Sequence, residues 1–157
     1  MAGTVLCGVN DSAGARNAAR VAGALSERLD LRLVLVHVAD ASTLADGSAG
    51  NDESVTTMQA RIGGKQLLDE LSAEQGLTRA EKRIESGDPA EQLAQVAAEE
   101  RAAMIVVGAR GRRRRWRPTL RSDLSKDLAR VTRCPVFVVP PASTDRASRD
   151  PLFLAAG

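Results

Sequence analysis

Two patterns of apolar and polar residues alternate along this chain. Short runs that are almost continuously apolar, such as residues 31–38 (LRLVLVHV), are typical of strands buried on both faces of a parallel sheet. Between such runs, apolar residues recur every three or four positions, as over residues 15–29, which indicates amphipathic helices. In chain order the two patterns predict β-α-β-α-β-α-β-α-β.

Helix-capping residues mark where three of these helices begin. Ser12 follows the first predicted strand, residues 4–9, and is a favoured N-cap. Asp88 is followed by Pro89, which suits the first helical position. Ser122-Asp123 gives a third cap signal, before the last predicted helix.

The second predicted helix, over residues 55–75, is the least regular. Val55, Met58 and Ile62 form one apolar stripe, which Leu67, Leu68 and Leu71 continue with a drift. Gly63-Gly64 interrupts it, at a cost of roughly 1 kcal/mol per glycine relative to alanine.

The alternation predicts an α/β fold, a single doubly wound five-stranded parallel sheet with helices on both faces. We expect this Rossmann-like sheet to have the strand order 3-2-1-4-5. The charged segment 79–85 suits an edge strand, because charge discourages pairing with other molecules. Ligands bind such sheets beyond the carboxyl ends of the strands, where the strand order reverses. The strand ends to inspect are therefore Asn10, Val38 and Gly108.

Length and composition are those of one domain. Of the 157 residues, 1–141 are expected to form it, and 142–157 a tail that is flexible or packed on a partner subunit. No apolar run is long enough to span a membrane, and the start of the chain lacks a signal-peptide pattern, so a cytoplasmic protein is expected.

In the cytoplasm the two cysteines, Cys7 and Cys134, should be free thiols. His37, the one histidine, is interpreted as a core or strand-end residue, and neither a metal site nor a catalytic triad is expected.

The net charge of +2 conceals a local excess of positive charge. Seven arginines fall between Arg110 and Arg121. They could bind phosphates, but a solvated loop with its charges spread apart is the favoured interpretation. Because Trp116 is the only aromatic residue near them, base stacking has little support and nucleic acid is not expected as a partner.

Four segments resemble the universal stress protein family in order and spacing, over about residues 3–140. They are VLCGVNDSAGARNAARVAGAL, LVLVHV, GDPAEQLAQVAAEERAAMIVVGARG and LARVTRCPVFVV. In ATP-binding members an Asp after the first strand holds adenine, and a Gly-x-x-Gly loop with a later Gly-Ser/Thr pair holds ribose and phosphates. The resemblance thus implies a site for ATP or another adenine nucleotide. The candidate residues are Gly8, Asn10, Val38, Val107, Gly108, Arg110, Gly111, Ser122, Asp123 and Leu124.

This sequence departs from that pattern at both ends of the site. Asn10 replaces the expected Asp, although an amide can still bond to a base edge. Counted back from Cys134-Pro135-Val136, the Gly-Ser pair aligns with Ser122-Asp123; counted forward from Gly111, it aligns with Arg121-Ser122. The second glycine is absent in both registers, and in the first Asp123 places a carboxylate where a phosphate is expected. Like charges repel strongly at a desolvated site, so the expected phosphate binding is weakened.

The resemblance implies a non-enzymatic, stress-linked regulatory or protective protein, which either binds an adenine nucleotide loosely or belongs with the family members that bind none. Two alternatives come from other classes: a nucleotide-hydrolysing or adenylating enzyme on the same type of sheet, and a basic-loop module that binds polyanions. A homodimer is expected through the strand that begins at Pro135 and ends at Val139, since a bare apolar edge strand invites aggregation.

Overall fold

A computed structural model describes residues 3–39, 53–109 and 123–141 of the chain. Strands and helices alternate through these ranges: β1 (Thr4–Gly8), α1 (Ala13–Leu29), β2 (Arg32–Ala39), α2 (Glu53–Glu74), β3 (Glu81–Ser86), α3 (Pro89–Glu99), β4 (Ala102–Gly108), α4 (Leu124–Val131) and β5 (Val136–Val139). The arginine-rich loop and the tail predicted from the sequence lie outside the described residues. No helix in the described ranges is long and apolar enough to cross a membrane.

All five strands are parallel and form one sheet in the order β3-β2-β1-β4-β5, which confirms the predicted fold class. The order reverses between β1 and β4, because α1 leads from β1 to one neighbour and α3 returns the chain to the other. The carboxyl ends of β1 and β4 therefore diverge at the position where doubly wound sheets bind ligands.

Each face of the sheet has its own hydrophobic core. Alanines of α1 and leucines of α2 cover one face, where they pack on Cys7 and Leu35. Side chains of α3 and α4, among them Leu93 and Leu128, cover the other. Cys7 and Cys134 are free thiols, and burial raises the pKa of the Cys7 thiol to about 12.

Two of the predicted helix starts depend on side-chain caps. The Oγ of Ser12 accepts a hydrogen bond from the Ala15 backbone N–H at 3.1 Å. Asp88 Oδ1 accepts one from the Glu91 N–H at 3.0 Å, and Pro89 occupies the first turn of α3. Each cap satisfies a backbone donor that the helix leaves unpaired, so α1 and α3 begin within a few residues of the ends of β1 and β3.

The edge strand β3 is charged, as predicted, and its charges are paired. The guanidinium of Arg83 donates to Glu85 at 2.8 Å, to Glu99 at 2.9 Å and to Glu100 at 3.0 Å. Partial burial alone would lower the pKa of Arg83, but these three hydrogen bonds raise it above its usual value. Arg32 shares Glu100, at 3.3 Å, so the network ties β2 and β3 to the end of α3.

The second predicted helix is present as α2, but the first half of its apolar stripe lies largely outside the core. Val55, Met58 and Ile62 are each at least half exposed in the structure. Arg61 lies beside the end of β3, because its Nη1 donates to the Oγ of Ser86, the last residue of that strand, at 3.4 Å. The turns before Arg61, which carry Val55 and Met58, therefore extend past the strand ends, while Leu68 and Leu71 further along the helix are buried against the sheet.

The two glycines of α2 have different surroundings. A Cβ on Gly63 would meet no atom within 4 Å. A Cβ on Gly64 would lie much too close to the imidazole Cδ2 of His37 and 3.2 Å from its Nε2. Only glycine at position 64 leaves room for the His37 ring at the end of β2, whereas position 63 has room for a side chain.

These surroundings predict different effects of the same substitution at the two positions. Gly63→Ala should stabilise the protein by about 1 kcal/mol, the difference in helix propensity. Gly64→Ala gains the same propensity but must displace His37, so it should be less stable than Gly63→Ala by about 1–3 kcal/mol. Urea unfolding of both variants measures the difference. Equal stabilisation by both would show that the ring moves away without cost.

Candidate functional site

The candidate site lies at the carboxyl edge of the sheet, where β1 and β4 diverge. The residue after β1 continues the pairing with β2, since the Val9 N–H donates to the Val36 carbonyl at 2.8 Å. Beyond it, residues 10–12 cross to the start of α1. This short exit segment carries the first predicted ligand contact, Asn10.

Asn10 is exposed, and local hydrogen bonds fix its position. Its Oδ1 accepts a hydrogen bond from the Ser12 hydroxyl at 2.6 Å, and its backbone carbonyl accepts one from the Ser12 N–H at 2.9 Å. Within the described residues no partner is found for its Nδ2. The side chain therefore presents an amide donor at the switch point of the sheet, in a geometry set before any ligand arrives.

The end of β2 brings a histidine and a valine to this edge, on opposite faces of the sheet. His37 Nδ1 lies 2.9 Å from the Val9 carbonyl oxygen, so the strand-end interpretation of this histidine is confirmed. Val38 is half-buried and packs against the core under α3 and α4. The sequence indicated Val38 as a candidate site residue, but it gave no sign of the hydrogen bond between His37 and Val9.

Gly108, at the end of β4, is required by close packing against α1. A Cβ on it would lie 2.5 Å from the carbonyl carbon of Gly14, and a Cβ on Gly14 would lie 2.9 Å from the Ala109 carbonyl oxygen. The backbones of α1 and of the end of β4 are therefore in direct contact, and neither glycine position has room for a side chain. Sequence reasoning missed Gly14, although a glycine at the second position of a helix is a visible signal because it lowers helix propensity.

Two other predicted residues belong to the core. Val107 is 1% exposed, and a Cβ on Gly8 would lie 3.0 Å from Leu93 Cδ1 and 3.4 Å from Val107 Cγ1. Both positions face α3. They support the site by packing, and their side-chain positions are not open to a ligand.

The N-terminus of α4 already holds a carboxylate. Asp123 is the N-cap, and its Oδ1 accepts hydrogen bonds from the Ser125 N–H at 3.2 Å and the Ser125 hydroxyl at 2.7 Å. A helix N-terminus attracts anions, so a phosphate at this position would compete with the Asp123 carboxylate. Leu124, next in the chain, packs against the core.

Three candidates, Arg110, Gly111 and Ser122, lie outside the described residues. Those that the structure does bring to the carboxyl edge are Asn10, Val38 and Gly108. Across the described ranges no group of three His, Cys, Asp or Glu side chains has the geometry to hold a metal ion.

A separate cavity of about 490 Å³ lies at the opposite, amino edge of the sheet. The ends of α3 and α4 line it, through residues such as Ala98 and Thr132, together with Cys134. Cys134 Sγ donates to the Ala102 carbonyl at 3.3 Å, and burial raises the pKa of this thiol. The cavity is thus remote from the predicted ligand contacts.

Solved structures share this architecture. A protein of the universal stress protein family from Burkholderia pseudomallei is 27% identical, with a TM-score of 0.66, and the match covers 88% of this chain and 96% of that one. A universal stress protein in complex with cAMP is 22% identical, with a TM-score of 0.63 and coverage of 89% and 98%. The Archaeoglobus fulgidus universal stress protein in complex with dAMP is 19% identical, with a TM-score of 0.56 and coverage of 87% and 96%.

A search of curated proteins finds no match. The family model of the universal stress proteins, however, matches residues 1–140, which include every element from β1 to β5. The chain therefore belongs to the universal stress protein family.

Proposed function

We propose that this protein is a non-enzymatic, stress-linked regulatory or protective protein that binds an adenine nucleotide at the carboxyl edge of its sheet. The observation that carries this proposal is the fixed and exposed Asn10 side chain, with its Nδ2 donor, at the switch point. The cAMP and dAMP complexes of two matched proteins support the ligand class.

The base is the part of the ligand that this edge is best suited to bind. Adenine ring nitrogens accept hydrogen bonds, and Asn10 Nδ2 offers a donor. Val38 provides an apolar surface from the neighbouring strand. Because the exit segment is fixed by the Ser12 contacts, little conformational entropy is lost when a base binds there.

The phosphate side of the site is less favourable. Asp123 places a carboxylate at the α4 N-terminus, with Lys126 Nζ 4.0 Å from its Oδ2, and two like unit charges 4 Å apart repel by about 4 kcal/mol at an effective dielectric constant of 20. Each additional phosphate increases this repulsion. We therefore propose weak binding, with a nucleoside monophosphate favoured over ATP.

Removing the Asn10 side chain tests the base contact. Asn10→Ala should weaken AMP binding about tenfold, the effect of losing one hydrogen bond of about 1.4 kcal/mol. Calorimetric titration of AMP measures the affinity. Asn17→Ala is the matched control, because this asparagine donates to the Pro140 carbonyl and not to the exit segment. Wild-type protein that binds no AMP at millimolar concentration would refute the proposed function.

Replacing the cap of α4 tests the phosphate side. Asp123→Ser removes the carboxylate and retains a favoured N-cap, so it should strengthen binding of AMP and, by a larger factor, of ATP. Asp88→Ser makes the same change at the start of α3 and should leave both affinities unaltered. If Asp123→Ser weakens ATP binding instead, the phosphates do not lie beside this carboxylate.

We also propose that the protein is a homodimer joined through Pro135 to Val139. β5 is an edge strand with only β4 beside it, and Phe137 and Val138 are 48% and 46% exposed. An apolar edge strand of this kind offers unpaired backbone groups to a second copy, and two-fold pairing would cover both.

A charge on β5 tests the dimer. Val138→Lys should convert dimers into monomers, because the ammonium group would lie within the paired strands. Val131→Lys is the control, since Val131 is similarly exposed, at 51%, on α4. Light scattering at tens of micromolar protein measures the mass. Wild-type protein with the mass of one chain would contradict the proposed dimer.

A further inference from the structure

The imidazole of His37 connects three elements at the carboxyl edge. Its Nδ1 lies 2.9 Å from the carbonyl oxygen of Val9, and because a carbonyl can only accept, Nδ1 carries the proton and donates. The opposite edge of the ring lies against Gly64 of α2, where there is no room for a side chain. The ring is therefore held between the exit of β1 and the helix that covers β2.

This bond extends the pairing of β1 with β2 beyond the last regular residue of β1. The Val9 N–H donates to the Val36 carbonyl at 2.8 Å, and the Val9 carbonyl accepts from the His37 side chain. Both backbone polar groups of Val9 are thus bound by neighbouring residues of β2. The second of these bonds comes from the His37 side chain, whereas in a regular ladder it would come from a backbone N–H.

The two residues that this bond joins are neighbours in sequence of the two proposed base contacts. Val9 immediately precedes Asn10, and His37 immediately precedes Val38. Because side chains alternate along a strand, the His37 ring lies on the α2 side of the sheet while Val38 lies on the α3 side. The bond therefore constrains the backbone next to both Asn10 and Val38, and the imidazole itself lies on the face opposite the Val38 side chain.

We propose that His37 is a positioning residue for the base, acting through the Val9 carbonyl and clamped by Gly64. The proposal rests on the proposed nucleotide function for its effect on affinity. Its effect on the exit segment can be measured without any ligand. Two substitutions separate the hydrogen bond from the packing of the ring.

His37→Asn keeps a donor, since the Asn Nδ2 is attached to Cγ as Nδ1 is in histidine, but it removes the ring. His37→Phe keeps an aromatic ring against Gly64, larger than imidazole by one ring atom, and removes the donor. A positioning role predicts that Asn rescues the site and Phe does not. A role in packing alone predicts the reverse order.

Amide hydrogen exchange on the full-length protein is the first measurement. In His37→Phe the Val9 and Ser12 amides should exchange about tenfold faster, the effect of one lost hydrogen bond, whereas His37→Asn should stay within about threefold of the wild type. Amides of β4, such as that of Val106, serve as an internal reference for global stability. Unchanged exchange at Val9 and Ser12 in His37→Phe would overturn the proposal.

AMP affinity, measured by calorimetry, is the second measurement. It should fall about tenfold in His37→Phe and change little in His37→Asn. If the wild type binds AMP and His37→Phe binds equally well, His37 does not position the base, and the proposed function stands. If no variant binds AMP, the proposed function fails, and the exchange data alone decide whether His37 orders the exit segment.

Discussion

The contact between Gly14 and Gly108 is the constraint on which the carboxyl edge depends. A Cβ added to Gly108 would lie only 2.5 Å from the Gly14 carbonyl carbon. The first turn of α1 therefore packs directly on the end of β4. This contact brings the start of α1 close to the point where β1 and β4 diverge, so the connection from β1 must be short. Asn10 consequently lies at the switch point, where Ser12 caps the helix and also binds the Asn10 side chain.

A second close approach, between Gly64 and His37, acts on the other side of the same segment. Glycine weakens a helix by about 1 kcal/mol relative to alanine, and here the loss is offset by the packing and hydrogen bonding of the ring. The proposed base side of the site is therefore held by fixed contacts, while the proposed phosphate side carries the Asp123 carboxylate. A site of this kind binds a nucleotide mainly through its base, which is the physical reason for the weak binding that we propose.

The sequence predicts the fold well because each strand and helix carries its own local signal. Continuous apolar runs specify buried strands, and Ser12 and Asp88-Pro89 specify where helices begin. Helical periodicity alone cannot tell how far a helix extends past the sheet, and for that reason the apolar stripe of α2 did not reveal that Val55, Met58 and Ile62 are at least half exposed. At the site, Asn10 and Asp123 were identified from their place in the pattern. Gly14 and Gly64 were not, because the reason for a glycine lies in a neighbour distant in sequence, and Arg110, Gly111 and Ser122 lie outside the described residues.

Binding of a base at the carboxyl edge is the central claim, and an NMR titration of the ¹⁵N-labelled full-length protein with AMP tests it most directly. The account predicts that the amide resonances of Val9, Asn10, Val38 and Ala109 shift as AMP is added. Those of Ala98 and Thr132, in the cavity at the amino edge, should stay in place. Shifts confined to the amino-edge cavity, or no shift anywhere at millimolar AMP, would contradict it.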